Sequence, residues 1–219
     1  MAGKNVSGEL IIGASTIPGA YILPLIASSF KTTYPGVSFE IRIDDSAKIV
    51  KAIAANELLI GVVGAKIPAR KIHYEKFTED ELILVAAKNS TIANKIAPEV
   101  LLELPFLLRE EGSGTRKNIE AFLADKHITT SQMQVSAILG SSTAIKEAVK
   151  AGLGVSILSR HALHDELLAG SVKEITIHGM PMHRSFYIAT ATKRSLPNHY
   201  QVFLHALAHA AAQDSATND

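Results

Sequence analysis

Short apolar segments alternate along the chain with segments in which apolar residues recur every three or four positions. The first pattern is typical of β-strands and the second of amphipathic helices. Strands are predicted at residues 9–15, 37–43, 58–63, 81–87, 105–110, 133–139, 154–159, 172–177 and 184–191. Helices are predicted in most of the gaps. Because parallel strands need such helical crossovers, the pattern favours an α/β fold with largely parallel sheets.

Hydroxyl residues lie at four of the predicted turns from a strand into a helix. These turns contain Ser15 with Thr16, Ser46, Ser113 to Thr115, and Ser141 with Ser142. Serine at such a turn is an ordinary helix cap, but the free N–H groups of a helix start also attract anions. In open α/β sheets, ligands bind beyond the carboxyl ends of the strands. Several of these turns are therefore expected to converge on one cleft.

The segment Arg109-Glu110-Glu111-Gly112-Ser113-Gly114-Thr115-Arg116 carries the strongest chemical signal. It follows an apolar strand and leads into a helix, which places Ser113 at the N-cap. Arg116 could bind a carboxylate, although pairing with Glu120 one turn later is the favoured alternative. Glu110 and Glu111 oppose a free anion unless they point outward or pair with the arginines. An uncharged polar or zwitterionic ligand therefore remains an alternative to an anion.

Composition and charge narrow the classes of function. The chain has 219 residues, 47% of them hydrophobic, enough for one large or two small domains. Its 22 basic and 21 acidic residues form no long run of either sign, so this chain is not expected to hold DNA by itself. The absence of cysteine excludes disulfides, thiolate metal sites and cysteine nucleophiles. Neither a signal peptide nor a membrane span is predicted, and a cytoplasmic location is expected.

Enzymatic signals are weak. The sequence has no Gly-x-Ser-x-Gly motif and no obvious acidic pair for general acid and base catalysis. His205 and His209 have the i, i+4 spacing of metal ligands, but no glutamate partner or third ligand accompanies them. Gly152 and Gly154 lack the third glycine of a dinucleotide fingerprint and are interpreted as ending a helix. No catalysis, metal or cofactor is expected.

Several segments, taken in order, resemble one family. They are Gly8-Glu9-Leu10-Ile11-Ile12-Gly13, Leu23-Pro24, Tyr34-Pro35-Gly36-Val37, the Gly-Ser-Gly-Thr-Arg stretch from Gly112 and the stretch from Ala148 to Val155. In this order and spacing, residues 8 to about 208 resemble the effector-binding domain of LysR-type transcriptional regulators. The resemblance implies a periplasmic-binding-protein type II fold, with two Rossmann-like lobes joined by two crossover strands.

The resemblance also implies a division of the chain. Lobe I is expected at 8–84 with 188–210 and lobe II at 85–187, with the crossover strands lying within 77–88 and 172–191. Residues 1–7 are expected to be a linker or expression remnant, and 211–219 a disordered tail. The N-terminal winged helix-turn-helix of the family is expected to be absent from this chain.

Carried across residue by residue, the family's ligand site points to both lobes. Lobe I contributes Ser15, Thr16, Ser46 and the backbone at Gly64; lobe II contributes Arg109, Ser113, Gly114, Thr115, Ser141 and Ser142. Many relatives have an aspartate early in the third strand, where this chain has Leu58-Leu59-Ile60-Gly61. That departure puts local loop contacts in question and leaves the fold expectation unchanged.

The expected function is therefore binding of a small anionic or polar effector between the lobes of a regulator. Family members dimerise through this domain, here by helices near residues 21–31 and 116–125, and are tetramers at full length. Contact with DNA is expected only through the missing N-terminal domain, and no membrane contact is expected. Alternatives are a solute-binding protein of a transporter, which shares the fold, and a dimerisation module with a vestigial cleft.

Overall fold

The computed structural model describes the backbone of residues 6–217 and the side chains of residues 6–211. The chain forms two compact units. One unit contains the chain up to Glu79 and from Ser185 onward, and the other spans Asp80–Arg184. Two strands run from one unit into the other. They are β4 (Ile72–Ala87) and β10 (His183–Ala191), so each boundary falls inside a continuous strand.

The first unit is built on a sheet with strand order β2-β1-β3-β10. Strands β1 (Gly8–Ser15), β2 (Val37–Asp44) and β3 (Ile60–Val63) are parallel, and β10 runs antiparallel to β3. Its helices are α1 (Leu23–Thr33), which follows a π-helical turn at Pro18–Ile22, α2 (Ser46–Ala54) and α6 (Asn198–Thr217). This order of parallel strands joined by helices places the carboxyl ends of β1, β2 and β3 at one edge.

Two glycines let α2 lie close to this sheet. A Cβ on Gly13 would lie 2.9 Å from Ile49 Cγ2 of α2, and a Cβ on Gly61 would lie 2.7 Å from the same atom. Both distances are shorter than van der Waals contact. The missing side chains of β1 and β3 therefore fix the position of α2 and of its first residue, Ser46. On another part of the unit, Phe203 of α6 packs edge-on against Phe30 of α1 and Phe39 of β2.

The second unit contains part of the larger sheet and a separate two-stranded sheet, with helices packed against them. Strand β4 pairs antiparallel with β8 (Ser156–Ser159) and β9 (Val172–Ile177), while β6 (Pro105–Arg109) pairs parallel with β7 (Gln134–Leu139). A bridge between Phe106 and Val155 connects β6 to the chain just before β8. The remaining elements are β5 (Lys95–Ile96), α3 (Gly114–Ala124), α4 (Ser142–Lys150), α5 (Arg160–Leu168) and 3-10 turns at Pro98–Leu102 and Thr130–Gln132.

Alternate residues of the second unit's strands enter different cores. Leu82, Leu84, Phe106 and Leu108 pack with α3 residues on one face. Ile83, Val85 and Leu107 pack with residues of α4 and α5 on the other. Both faces of β4 and β6 are therefore covered, which explains why these strands read as continuous apolar runs in the sequence.

The structure departs from the expected elements at a few places. Strand β4 begins at Ile72 instead of residue 81, and the short strand β5 was not expected. The unit boundaries fall at 79/80 and 184/185, a few residues before the expected ones. Helix α6 continues to Thr217 where a disordered tail was expected from residue 211. Residues 1–5 of the expected linker or expression remnant, and residues 218–219 of the tail, lie outside the described residues. Within the described part, no helix is both long and apolar enough to span a bilayer.

Candidate functional site

A buried arginine connects the carboxyl end of β6 to the start of α4 in the second unit. Arg109 is the last residue of β6 and is only 2% exposed. Its Nη1 donates to Ser142 Oγ at 2.7 Å, and Ser142 is the first residue of α4. The predicted residues Arg109 and Ser142, which are far apart in sequence, are thus in direct contact.

The other edge of the Arg109 guanidinium faces the next residue. Nε donates to Glu110 Oε2 at 2.7 Å and Nη2 donates to Glu110 Oε1 at 2.6 Å. This is a bidentate arginine–carboxylate pair, a strong form of hydrogen-bonded ion pair. The sequence left open whether Glu110 points outward or pairs with an arginine, and in the structure it pairs.

Ser113 and Ser141 serve as helix caps. Ser113 Oγ accepts from the N–H of Arg116 at 3.4 Å, and Ser141 Oγ accepts from the N–H of Ala144 at 3.1 Å. The prediction that Ser113 is an N-cap is confirmed. Capping leaves the next N–H groups of α3 and α4 at the same end of the sheet as Arg109.

Thr115, in the first turn of α3, is bound by Arg184, which is not among the residues predicted from the sequence. Arg184 Nη1 donates to Thr115 Oγ1 at 3.0 Å, and Thr115 is buried. On its other side, Arg184 forms an ion pair with Asp80, with Nε and Nη2 at 2.8 and 2.7 Å from Oδ2. Asp80 also accepts from Ser159 Oγ at 2.8 Å. Burial lowers the pKa of Arg184, Asp80 opposes that change, and the nearby Arg109 guanidinium adds to it.

A period-two pattern could have found Arg184. In β10, Arg184, Phe186 and Ile188 are buried while the residues between them are more exposed. An arginine in register with two core residues is therefore itself buried and requires a partner. Asp80 has the same relation to Leu82 and Leu84 in β4.

Arg116 contacts both its own helix, α3, and the end of strand β6. Its Nε donates to Glu120 Oε1 at 2.8 Å, which is the i, i+4 pairing favoured as the alternative to a ligand contact. Its Nη1 also donates to the backbone carbonyl of Arg109 at 3.2 Å. Arg116 therefore ties α3 to the end of β6.

In the first unit, the predicted residues Ser46 and Gly64 are hydrogen-bonded to each other. Ser15 ends β1 in register with Asp44, the last residue of β2, and Ser46 begins α2. Ser46 is fully buried, and its Oγ accepts from the N–H of Gly64, just after β3, at 3.2 Å. Asp45 is the N-cap of α2 and accepts from the N–H of Lys48 at 2.8 Å. Thr16 follows Ser15 and is partly exposed.

In the second unit, the arrangement combines fixed positive groups with hydroxyls at helix starts. Two buried guanidiniums, Arg109 and Arg184, each bind one carboxylate and one hydroxyl group. Such groups recognise carboxylates and phosphates. Among the described residues, no group of three or more histidine, aspartate or glutamate side chains is placed to hold a metal ion.

Comparison with known proteins identifies the family. The model of the LysR substrate binding domain matches residues 3–212. The chain belongs to this family. The chain is 33% identical over 202 residues to the uncharacterized HTH-type transcriptional regulator YeiE of Escherichia coli strain K12, covering 92% of this chain and 68% of YeiE. It is also 36% identical over 181 residues to a protein of Anaeromyxobacter dehalogenans named phosphonates import ATP-binding protein PhnC, covering 82% of this chain and 36% of that protein.

A solved structure confirms the fold. The regulatory domain of CcmR from Synechocystis PCC6803, solved in complex with 2-PG, superposes with a TM-score of 0.84 at 26% identity, covering 94% of this chain and 98% of that one. The LysR effector-binding domain thus has the expected periplasmic-binding-protein type II fold, with two lobes joined by two crossover strands. The transcriptional regulators among these relatives favour the regulator interpretation over the transporter alternative.

Proposed function

We propose that this chain is the effector-sensing domain of a LysR-type DNA-binding transcriptional regulator and that it binds a small anionic metabolite. The observation that carries the proposal is the buried Arg109, which donates to Ser142 at the start of α4 and lies close to a second buried arginine, Arg184. Burying two guanidiniums is costly. A cost of that kind is typical of a site that recognises an anion.

The proposed ligand site combines the arginine and helix-start groups of the second unit with the hydroxyl groups of the first unit. Its residues are Ser15, Thr16, Ser46, Gly64, Arg109, Ser113, Gly114, Thr115, Ser141 and Ser142, with Arg184 added. The 2-PG complex of CcmR supports an acidic effector, because that domain is similar to this chain over nearly its whole length. A carboxylate or phosphate suits the planar donors of Arg109 better than a neutral polar group does.

Regulation follows from a difference in affinity. The effector binds the closed arrangement of the two lobes more tightly than the open one, and this difference is the whole source of the switch. The chain passes between the units inside β4 and β10. In the dimer, closure alters the spacing of the DNA-binding domains supplied by the rest of the regulator, which acts in the cytoplasm.

A thermal-shift titration tests the proposal. The panel contains 2-PG, inorganic phosphate, dicarboxylates, aromatic acids and neutral polyols. A ligand at a hundred times its dissociation constant adds about 2.7 kcal/mol, which raises the melting temperature of a chain of this size by roughly 5 to 10 °C. We expect a saturable rise with one class of acid.

Two serine variants separate the site from a nonspecific effect. Ser142→Ala removes the hydroxyl that binds Arg109 and is expected to weaken the response by about 0.5 to 1.5 kcal/mol. Ser171→Ala is the control, because Ser171 Oγ instead donates to the backbone carbonyl of Glu166 beyond α5. No response to any acid, or an equal loss in both variants, would contradict the proposed site.

A further inference from the structure

The pair between Arg109 and Glu110 is asymmetric in its exposure. The Arg109 side chain is 2% exposed, whereas the Glu110 side chain is 27% exposed. Arg109 is fixed from its inner side by Ser142 and cannot follow Glu110 outward without losing that hydrogen bond. Glu110 is therefore the partner that is free to rotate towards solvent, and its departure uncovers the Nε and Nη2 edge of Arg109.

This edge is also the one that an acidic effector would use. Arg109 Nη1 is already directed at Ser142, so Nε and Nη2 remain as the pair of parallel donors for a carboxylate or phosphate. Glu110 holds both donors in the structure. Because it is the adjacent residue, its effective concentration at this guanidinium is high, as it is for any tethered ligand.

We propose that Glu110 is a built-in competing anion that occupies the effector's position on Arg109 and sets the selectivity of the site. This inference rests on the proposed function. An effector must bring its own carboxylate or phosphate to replace that of Glu110, because a neutral group does not supply the negative charge that Glu110 takes away when it leaves. The competition therefore excludes neutral polar effectors and raises the concentration at which an acidic effector binds.

Two glutamate variants test the competition. Glu110→Gln keeps the size and one acceptor of the side chain but removes its charge, and it directs an amide NH2 at an arginine donor. Glu111→Gln makes the same charge change at the exposed neighbouring residue, for which no ion pair is observed among the described residues. Binding of 2-PG, inorganic phosphate and malonate is measured by calorimetry for the wild type and both variants, with glycerol as the neutral probe.

The expected result is tighter binding of the acids to Glu110→Gln than to Glu111→Gln. The gain is roughly three- to thirty-fold, the range for loss of one partly exposed bidentate competitor. Glycerol should gain less affinity than the acids, because it brings no charge to the guanidinium that Glu110 leaves. A larger gain for inorganic phosphate than for malonate indicates that a phosphate group replaces Glu110, and the reverse indicates a carboxylate.

The outcomes separate this inference from the proposed function. If the wild type binds an acid and Glu110→Gln binds it no more tightly than Glu111→Gln does, Glu110 does not compete. The proposed function then stands. If only Glu110→Gln binds an acid, both are supported. If no form binds any acid, both fail.

A second measurement uses the wild type alone. The NMR signal of the Arg109 Nε–H reports its acceptor. Saturation with a bound acid should shift this signal if the acid replaces Glu110, and an unchanged signal would overturn the inference even if Glu110→Gln failed to fold.

Discussion

The buried ion pair between Asp80 and Arg184 connects several elements of the second unit. Their side chains are 0% and 1% exposed, and Asp80 binds both Arg184 and Ser159. Asp80 is the first residue of the second unit and Arg184 is the last. The pair therefore joins β4 to β10 at the point where both strands leave that unit, and Arg184 extends the connection to Thr115 at the start of α3.

Removal of one partner should be far more costly than removal of both. Asp80→Asn leaves a buried guanidinium without its counter-charge, and we expect it to lower the free energy of unfolding by about 3 to 5 kcal/mol in urea denaturation. The control is Glu79→Gln, because Glu79 is 66% exposed and pairs with Lys76 at the surface. That variant should change stability by about 0.5 kcal/mol or less. The double variant Asp80→Leu with Arg184→Met should recover part of the loss. Equal stabilities of Asp80→Asn and Glu79→Gln would contradict the importance of the pair.

The sequence identified many of the polar residues at this edge but not their partners. Ser113 was predicted as a cap because its position before an amphipathic helix is a local signal. The contacts of Arg109 with Ser142 and of Arg184 with Thr115 span 33 and 69 positions, and no local pattern specifies them. Glu110 and Arg109 are adjacent, yet whether they pair depends on side-chain directions that only the packed fold determines.

At the level of elements, one glycine determines how closely two parts of the second unit approach. The N–H of Val155 donates to the carbonyl of Pro105 at 2.8 Å, and the N–H of Leu107 donates to the carbonyl of Val155 at 2.8 Å. A Cβ on Gly154 would collide with the Pro105 carbonyl oxygen and lie 3.1 Å from its carbon. From the sequence alone, Gly152 and Gly154 are both expected to end a helix. Gly152 has that role, with φ of +81°, while Gly154 is required by the contact with β6.

Gly154→Ala should therefore destabilise the protein, whereas Gly140→Ala should not. Because the obstacle is backbone, relief requires β6 to move, and we expect a loss of about 1 to 3 kcal/mol in the free energy of unfolding. Gly140→Ala is the matched control, since no heavy atom lies within 4 Å of its added Cβ. The control should be neutral or slightly stabilising. Similar urea midpoints for the two variants would show that β6 adapts to the methyl group. Arg109 ends β6, so Gly154→Ala is also expected to weaken acid binding.

The elements that the sequence missed have identifiable causes. The first half of β4, from Ile72 to Asp80, alternates polar and charged residues with few apolar ones, so its strand signal is weak. Strand β5 has two residues, too few for any periodicity. Helix α6 extends through an alanine-rich segment whose helix propensity outweighs the polar composition that suggested a disordered tail. The longer, strongly periodic elements were predicted within a few residues.

For the whole molecule, family membership came from the order and spacing of several short segments over most of the chain. That order predicts fold and class of function because it reflects the complete arrangement of strands and helices. It cannot name the effector, because ligand chemistry depends on a few side chains and their ion pairs. The chain spans between about a third and two thirds of the curated relatives described above, so DNA binding and assembly of the full regulator are proposals.

Self-association of the domain can be measured directly with this chain. Leu25 on α1 is 72% exposed and borders a groove of about 530 Å³ between α1 and α6. An exposed leucine beside an apolar groove favours a protein contact, and α1 belongs to the face that the family resemblance assigns to the dimer. A glutamate at this position would be buried in a dimer interface, and the cost of burying its charge would disfavour binding of a second copy.

Leu25→Glu should therefore raise the dimer dissociation constant by about tenfold or more, as measured by sedimentation velocity over a range of concentrations. Leu168→Glu is the matched control, because Leu168 is 77% exposed at the end of α5, outside the expected face. That variant should sediment like the wild type. Dissociation by Leu168→Glu alone would place the interface on the second unit's α5 side, and a monomeric wild type would refute dimerisation through this domain. Both leucines are already exposed to solvent, so neither change removes core packing, and a shift in mass reports the interface and not unfolding.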